Sequence, residues 1–408
     1  MNPNVLIIGA GPAGAVAAAL LRRRGRSVLV LEREQFPRFS IGESLLPQSM
    51  EFLEEAGMLE AVQTSGFQPK NGAAFVQGEQ RTAFDFSEKF SAGWGTTYQV
   101  ERARFDHLLA LQAEAQGAEI RYGHQVVAVD VARARPRVSV RDQNGQGYEI
   151  DADFLIDASG FGRVLPRLLD LETPSRFPVR GAIFTHIEDR IDFRSFDRKK
   201  ILITIHPGQP DIWYWLIPFA NGRSSIGVVG SSDLLWNDSG SDSEILQRWV
   251  GQAPSLGNLL EHARWDTPAR HITGYAADVK SLWGPGYALL GNAGEFLDPI
   301  FSSGVTIAFK SASLAAQAIN RQFDGESVDW ETEFARPLKI GVNTFRAFVE
   351  SWYAGGFQKI IFFAGAPPLV QRMICAILAG YAWDESNPYV QEPKRRLAAL
   401  EALCDSRD

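Results

Sequence analysis

No stretch limits the fold more than VLIIGAGPAGAVAAALL near the N-terminus. Val5 to Ile8 form a short apolar run that reads as a buried strand. GAGPAG then sets Gly9, Gly11 and Gly14 at GxGxxG spacing; the small residues that follow read as a helix, and SVLVLE returns as a strand ending at Glu32. Gly9 allows a tight turn, Gly11 lets the backbone approach a pyrophosphate, and Gly14 lets helix and strand pack closely. Glu32 lies 18 positions beyond Gly14, close to the roughly 20 expected for a ribose-binding carboxylate. The helix N-terminus turns its unpaired N–H groups and positive dipole end toward the phosphates. Together these parts predict a dinucleotide-binding α/β domain.

A signal peptide is a poor account of the same run. Its positive charges (Arg22, Arg23, Arg24 and Arg26) follow the apolar residues, and three glycines interrupt them. Two later segments favour FAD over NAD. FLIDASGFGR (154–163) reads as a strand ending at Asp157 with a small-residue turn. GYALLGNAGEFLDPIFSSGV (286–305) reads as strand Tyr287–Leu290, a glycine-rich loop and a helix from about Val305. A flavin ring and ribityl chain need this second set of backbone contacts. A helix N-terminus also suits the flavin edge where negative charge develops.

The 408 residues allow a large core and two or three regions, and 45% hydrophobic with 22% charged residues fits a globular chain. A net charge of −7 gives no support for nucleic-acid binding. Only Cys375 and Cys404 occur, so no disulfide framework is expected and a reducing cytoplasm fits. The six histidines lack ligand spacing, so no metal site is expected. Residues 352–383 are apolar but broken by Lys359, Pro367, Pro368 and Arg372. They are expected to line a greasy pocket or touch a membrane peripherally, not to cross one.

DIWYWLIPF (211–219) places two tryptophans around a tyrosine. Strand alternation puts Ile212, Tyr214 and Leu216 on one face and Trp213, Trp215 and Ile217 on the other, and Pro218 ends the ladder.

Four stretches give the chain its resemblance: GAGPAG (9–14), IGESLLP (41–47), PKNGAAF (69–75) with WYWLIP (213–218), and DPIFSSGV (298–305). It resembles the FAD monooxygenases related to para-hydroxybenzoate hydroxylase, and within them the flavin-dependent halogenases, from residue 1 to about 320. The resemblance implies a Rossmann-like FAD-binding domain, a mainly antiparallel substrate sheet and a C-terminal helical region. The expected boundaries are 1–65, 100–170 and 275–325 for the first, 66–99 and 171–274 for the second, and 326–408 for the third.

It also implies FAD reduced by a separate flavin reductase, a halide as co-substrate, and hypohalous acid passing through a tunnel to an electron-rich ring. Trp213 and Trp215 become a wall that keeps the organic substrate from the flavin. Lys70 becomes the cation that holds the oxidant, against the plainer alternative of a surface lysine starting a strand. Ser303 and Gly304 are the implied halide contacts. Expected cofactor contacts in the first half of the chain are Gly9, Gly11, Ala13, Gly14, Glu32, Arg33, Glu43, Ser44, Arg102 and Val126. Those in the second half are Asp157, Gly291, Asn292, Pro299, Gly304 and Val305. Ser44 has an alternative as an N-cap of a helix around Gln48–Leu53, and Arg102 as a surface ion pair, with Arg104 its competitor.

Three departures from the family pattern bear on substrate. Asn292 stands where an aspartate is usual but can still hydrogen-bond ribityl hydroxyls. Phe301 stands where tryptophan halogenases carry glutamate, which points to an activated phenol- or pyrrole-like ring. The shorter C-terminal part leaves the substrate lid unassigned, and its apolar segments GGFQKIIFFAGAPP (355–368) and AILAGYAWDESNPYV (376–390) suit a lipid-like or carrier-tethered aryl substrate. Two alternatives stand beside halogenation: a flavin hydroxylase or dehydrogenase on the same scaffold, and a non-catalytic flavin-binding assembly partner.

Overall fold

The computed structural model describes residues 3–406 apart from 176, 193 and 238. Strand Val5–Ile8 sits inside a six-stranded sheet, between Phe154–Asp157 and Val28–Glu32. Glu119–Tyr122 extends the sheet beyond Val28–Glu32, and Tyr287–Leu289 extends it beyond Phe154–Asp157. All these pairs are parallel; the edge hairpin Trp283–Gly284 with Tyr287–Leu289 is antiparallel. Both faces of a parallel sheet are covered, which explains the unbroken apolar run at Val5–Ile8. Helix Pro12–Arg22 begins with Pro12 in its first turn and buries its small residues against helices Gly304–Phe323 and Arg102–Ala115. The architecture is the α/β FAD-binding one the sequence predicts.

A second sheet of seven strands has the order Arg270–Thr273, Arg180–Glu188, Arg223–Ser231, Trp213–Pro218, Lys200–Ile205, Gly72–Gln77, Gln80–Asp85. It is antiparallel except where Gly72–Gln77 runs alongside Lys200–Ile205. The alternation at Trp213–Pro218 divides the molecule. Trp213, Trp215 and Ile217 enter the main core, whereas Ile212, Tyr214 and Leu216 enter a second one. Helices Asp242–Gly251 and Pro254–Leu259 bury Ile245, Leu246 and Leu256 in that second core. Ladder pairing stops at Pro218 opposite Ser224.

Among the described residues five further helices follow residue 335, from Arg336–Tyr353 to Pro393–Asp405. Much of the apolar run at 352–383 turns inward: Trp352, Phe357, Ile360, Ile361, Ile374 and Ile377 join the main core, while Leu369 stays exposed. Among the described residues no helix is long and apolar enough to cross a membrane.

Candidate active site

A cavity of about 680 Å³ runs between the two sheets, within the range for a large cofactor. At one end it is lined by Gly9, Gly11, Ala13, Glu32, Arg33 and Val126; at the other by Trp213, Trp215 and Ile217 of the antiparallel sheet. Glu43 and Ser44 of the connecting strap, and Asn292, Pro299, Ser303, Gly304 and Val305, line the length between.

The glycine loop fits a dinucleotide for steric reasons. Gly9 holds φ +99°, and a Cβ there would lie 2.7 Å from the Ala158 carbonyl oxygen. A Cβ on Gly14 would sit 1.9 Å from the Gly9 oxygen, so Gly14 serves helix–strand contact and does not itself line the cavity. The Glu32 carboxylate accepts from Ala10 N (2.9 Å) and Glu34 N (2.8 Å), pinning the turn while facing the cavity. Opposite, Ser302 takes a left-handed φ of 55° at the end of the Pro299–Phe301 turn, and Ser303 then caps helix Gly304–Phe323, whose first-turn N–H groups lack intrahelical acceptors. These features suit FAD: the first helix would hold its phosphates, and the second offers unpaired backbone N–H groups to an anionic group.

Several expected contacts have other work. Asp157 lies outside the cavity lining; its carboxylate accepts from Ser159 N (2.9 Å) and Leu165 N (2.6 Å) and fastens the turn, while burial pushes its pKa up. Gly291 also lies outside the lining, its N–H bound to Ser311 Oγ at 3.0 Å, and Asn292 takes the exposed place. Arg102 does line the cavity, but it pairs with Asp106 (2.7 and 3.0 Å) and donates to the Ile41 and Gly42 carbonyls. This is a buried ion pair that holds the strap, in place of the surface pair considered from sequence. Arg104 bonds Glu101 and the Ser65 carbonyl at the surface. Ser44 caps no helix, because the helix begins at Ser49 after Gln48.

Ser44 instead accepts from Lys70. Strand Gln68–Lys70 delivers this lysine into the interior, where it is 1% exposed. Its Nζ donates to Ser44 Oγ at 2.7 Å and the Leu45 carbonyl at 2.8 Å and lies 5.3 Å from the Phe86 ring centre. Desolvation lowers its pKa to about 7. Lys70 does not line the flavin cavity; Ser44, which does, stands between them. The surface-lysine alternative is thereby removed. On the other side of the strap, Glu43 lines the cavity and meets His186 Nε2 at 2.5 Å.

The tryptophan rings lie 6.0 Å apart. Trp215 covers Gly227 on the next strand so closely that a Cβ there would come within 2.3 Å of the indole. Phe301 is buried edge-on to Phe348, Trp352 and Phe357. Sequence reasoning missed Asp298, Tyr275 and Tyr353. The two phenols donate to the Asp298 carboxylate, whose pKa burial raises to about 6. Asp298 carried a signal in its DP step before the glycine loop; Tyr353 carried none, because its partners are remote in sequence.

Residues 2–273 match the FAD-binding domain family, and the chain belongs to that family as an FAD-dependent oxidoreductase. It is 29% identical over 386 residues to tryptophan 2-halogenase of Chondromyces crocatus, covering 91% of this chain and 72% of that one. It is 28% identical over 430 residues to the 1H-pyrrole-2-carbonyl-(peptidyl-carrier protein) chlorinase of Pseudomonas fluorescens, covering 97% and 93%. A solved flavoprotein/dehydrogenase from Cytophaga hutchinsonii superposes with a TM-score of 0.96 at 41% identity, covering 100% of this chain and 99% of that one. Within the family, the chain falls on the flavin-dependent halogenase branch.

Proposed function

We propose that this protein halogenates an activated, phenol- or pyrrole-like ring, free or carrier-bound, in the cytoplasm, using FAD reduced by a separate flavin reductase. When bound and reduced, FAD supplies the oxygen activation that oxidises chloride or bromide. The chain's own residues divide the remaining tasks. Ser303 and Gly304 offer backbone N–H groups to the halide. Trp213, Trp215 and Ile217 bar the organic acceptor from the flavin. Lys70, which carries the proposal, is buried one hydroxyl behind the cavity wall, with an amine near half-protonation at neutral pH. Its ammonium can donate to hypohalous acid, and its neutral form can take halogen as a haloamine. Phe301 packs edge-on against Phe348, Trp352 and Phe357 and cannot itself act as a base toward an unactivated carbon, which favours rings already rich in electrons.

A hydroxylase or dehydrogenase is the second reading. It is supported by the apolar sheet face, Ala182, Ile201, Ile203 and Ile272, which borders the same cavity and gives an organic acceptor a surface beside the flavin.

Adding a thioether trap for hypohalous acid separates the two. Wild type with reduced FAD, oxygen and bromide should oxidise the trap and halogenate the ring. Lys70→Ala should keep trap oxidation and FAD binding but lose ring product by at least the roughly 10²–10⁴-fold of a positioned acid–base group. Ring halogenation unchanged in Lys70→Ala would remove Lys70 from the chemistry.

A further inference from the structure

The two wall tryptophans are held very differently. Trp215 donates its indole N–H to Ser225 Oγ at 3.0 Å, a neighbour on the adjoining strand. Trp213 donates to Tyr353 Oη at 3.0 Å, across 140 positions, at the end of helix Arg336–Tyr353. An indole N–H can only donate, so the phenol must pass its own proton onward. It does so to Asp298 Oδ2 at 2.9 Å. The same oxygen accepts from Tyr275 at 3.1 Å, and Asp298 Oδ1 accepts from Ile300 N at 3.0 Å. The Arg180 guanidinium lies 3.4 Å from the Tyr353 ring centre and pairs with Asp211, clamping the phenol from above. Trp213, Tyr275 and Asp298 all line the cavity, and Asp298 leads directly into the loop that carries Ser303 and Gly304. One directed chain of bonds thus joins the wall, the halide loop and the C-terminal helix.

We propose that Tyr353 and Asp298 are positioning residues that lock the Trp213 indole across the cavity. By doing so they set how the oxidising equivalents formed there divide between halide and hydrogen peroxide, the two-electron product of oxygen left when halide is not oxidised. The division rests on the halogenation reading above; the lock does not. Without its acceptor, a buried indole N–H is left unpaired, and the ring turns to find another.

Tyr353→Phe tests this, since it keeps the ring under Arg180 and removes one oxygen. In FAD-loaded protein, the indole ¹H–¹⁵N signal lost in Trp213→Phe identifies Trp213. Tyr353→Phe should move or broaden that signal and leave the Trp215 signal in place. Halogenated product per reduced flavin should fall about five-fold, with a matching rise in peroxide and little change in FAD affinity. Asp298→Asn, which retains one acceptor oxygen, should act in the same direction but less, and it decides the matter if the first variant does not fold. An unmoved Trp213 signal in both variants overturns the lock. A moved signal with an unchanged product-to-peroxide ratio overturns its control of the oxidant. Should wild type form no halogenated product with any halide, the halogenation reading fails, while the indole signal still judges the lock.

Discussion

Burying an ammonium with two neutral oxygen acceptors and one aromatic face does not recover the hydration it loses, which is why the Lys70 pKa falls to about 7. The ordinary lysine value is 10.5, so between about pH 7 and 10.5 the unfolded chain binds the extra proton. Folding stability associated with Lys70 therefore rises with pH through that window. At pH 7 the penalty is on the order of a few kcal/mol. Lys70→Met should raise the thermal unfolding midpoint at pH 7, and this advantage should shrink toward pH 10. A midpoint that drops at pH 7 would mean that the ammonium stabilises the fold. The destabilisation retained at this one interior position is the physical argument for the role proposed for Lys70. Its sequence context, PKNGAAF, gives the residue type and the strand but not the burial. That depends on the strap folding back over it, a contact between residues 26 positions apart.

At the level of elements, strand Trp213–Pro218 is legible from alternation alone, and both faces fall where period-two reasoning places them. What alternation does not give is the neighbour. Trp215 lies flat because its cross-strand partner is Gly227, a residue that nothing in the strand's own sequence marks. Gly227→Ala would place a methyl inside the indole's volume, and overpacking of this kind costs roughly 1–3 kcal/mol unless the ring moves. The variant should bind FAD with near wild-type affinity, divert reduced flavin toward peroxide and change indole fluorescence. Intact coupling of flavin oxidation to product in that variant would show that Trp215 is not part of the barrier. The glycine loop was equally legible, because its requirements are local and steric. Asp157 was not: it has the residue type of a cofactor contact, yet nearer partners hold its side chain outside the cavity lining, and the burial of the Asp106 pair that holds Arg102 at the lining has no mark in the sequence.

Across the whole molecule, FAD-type architecture could be read from order along the chain: strand, glycine loop, helix, strand, then a second glycine loop and helix. Harder to read is how the seven-stranded sheet, the strap and the C-terminal helices close on one cavity, because long-range contacts such as Trp213–Tyr353 and Glu43–His186 carry no local pattern. The function proposed above is compartmental: a small electrophile made at the flavin crosses the wall, and the organic ring does not. Product mass spectrometry in parallel chloride, bromide and halide-free reactions, each with FAD, flavin reductase, NADH and an electron-rich aromatic acceptor, tests it most directly. Ring-halogenated product carrying the isotope pattern of whichever halide is present is expected, with no modified ring in the halide-free reaction. An oxygenated or desaturated ring formed equally well in the halide-free reaction would contradict it.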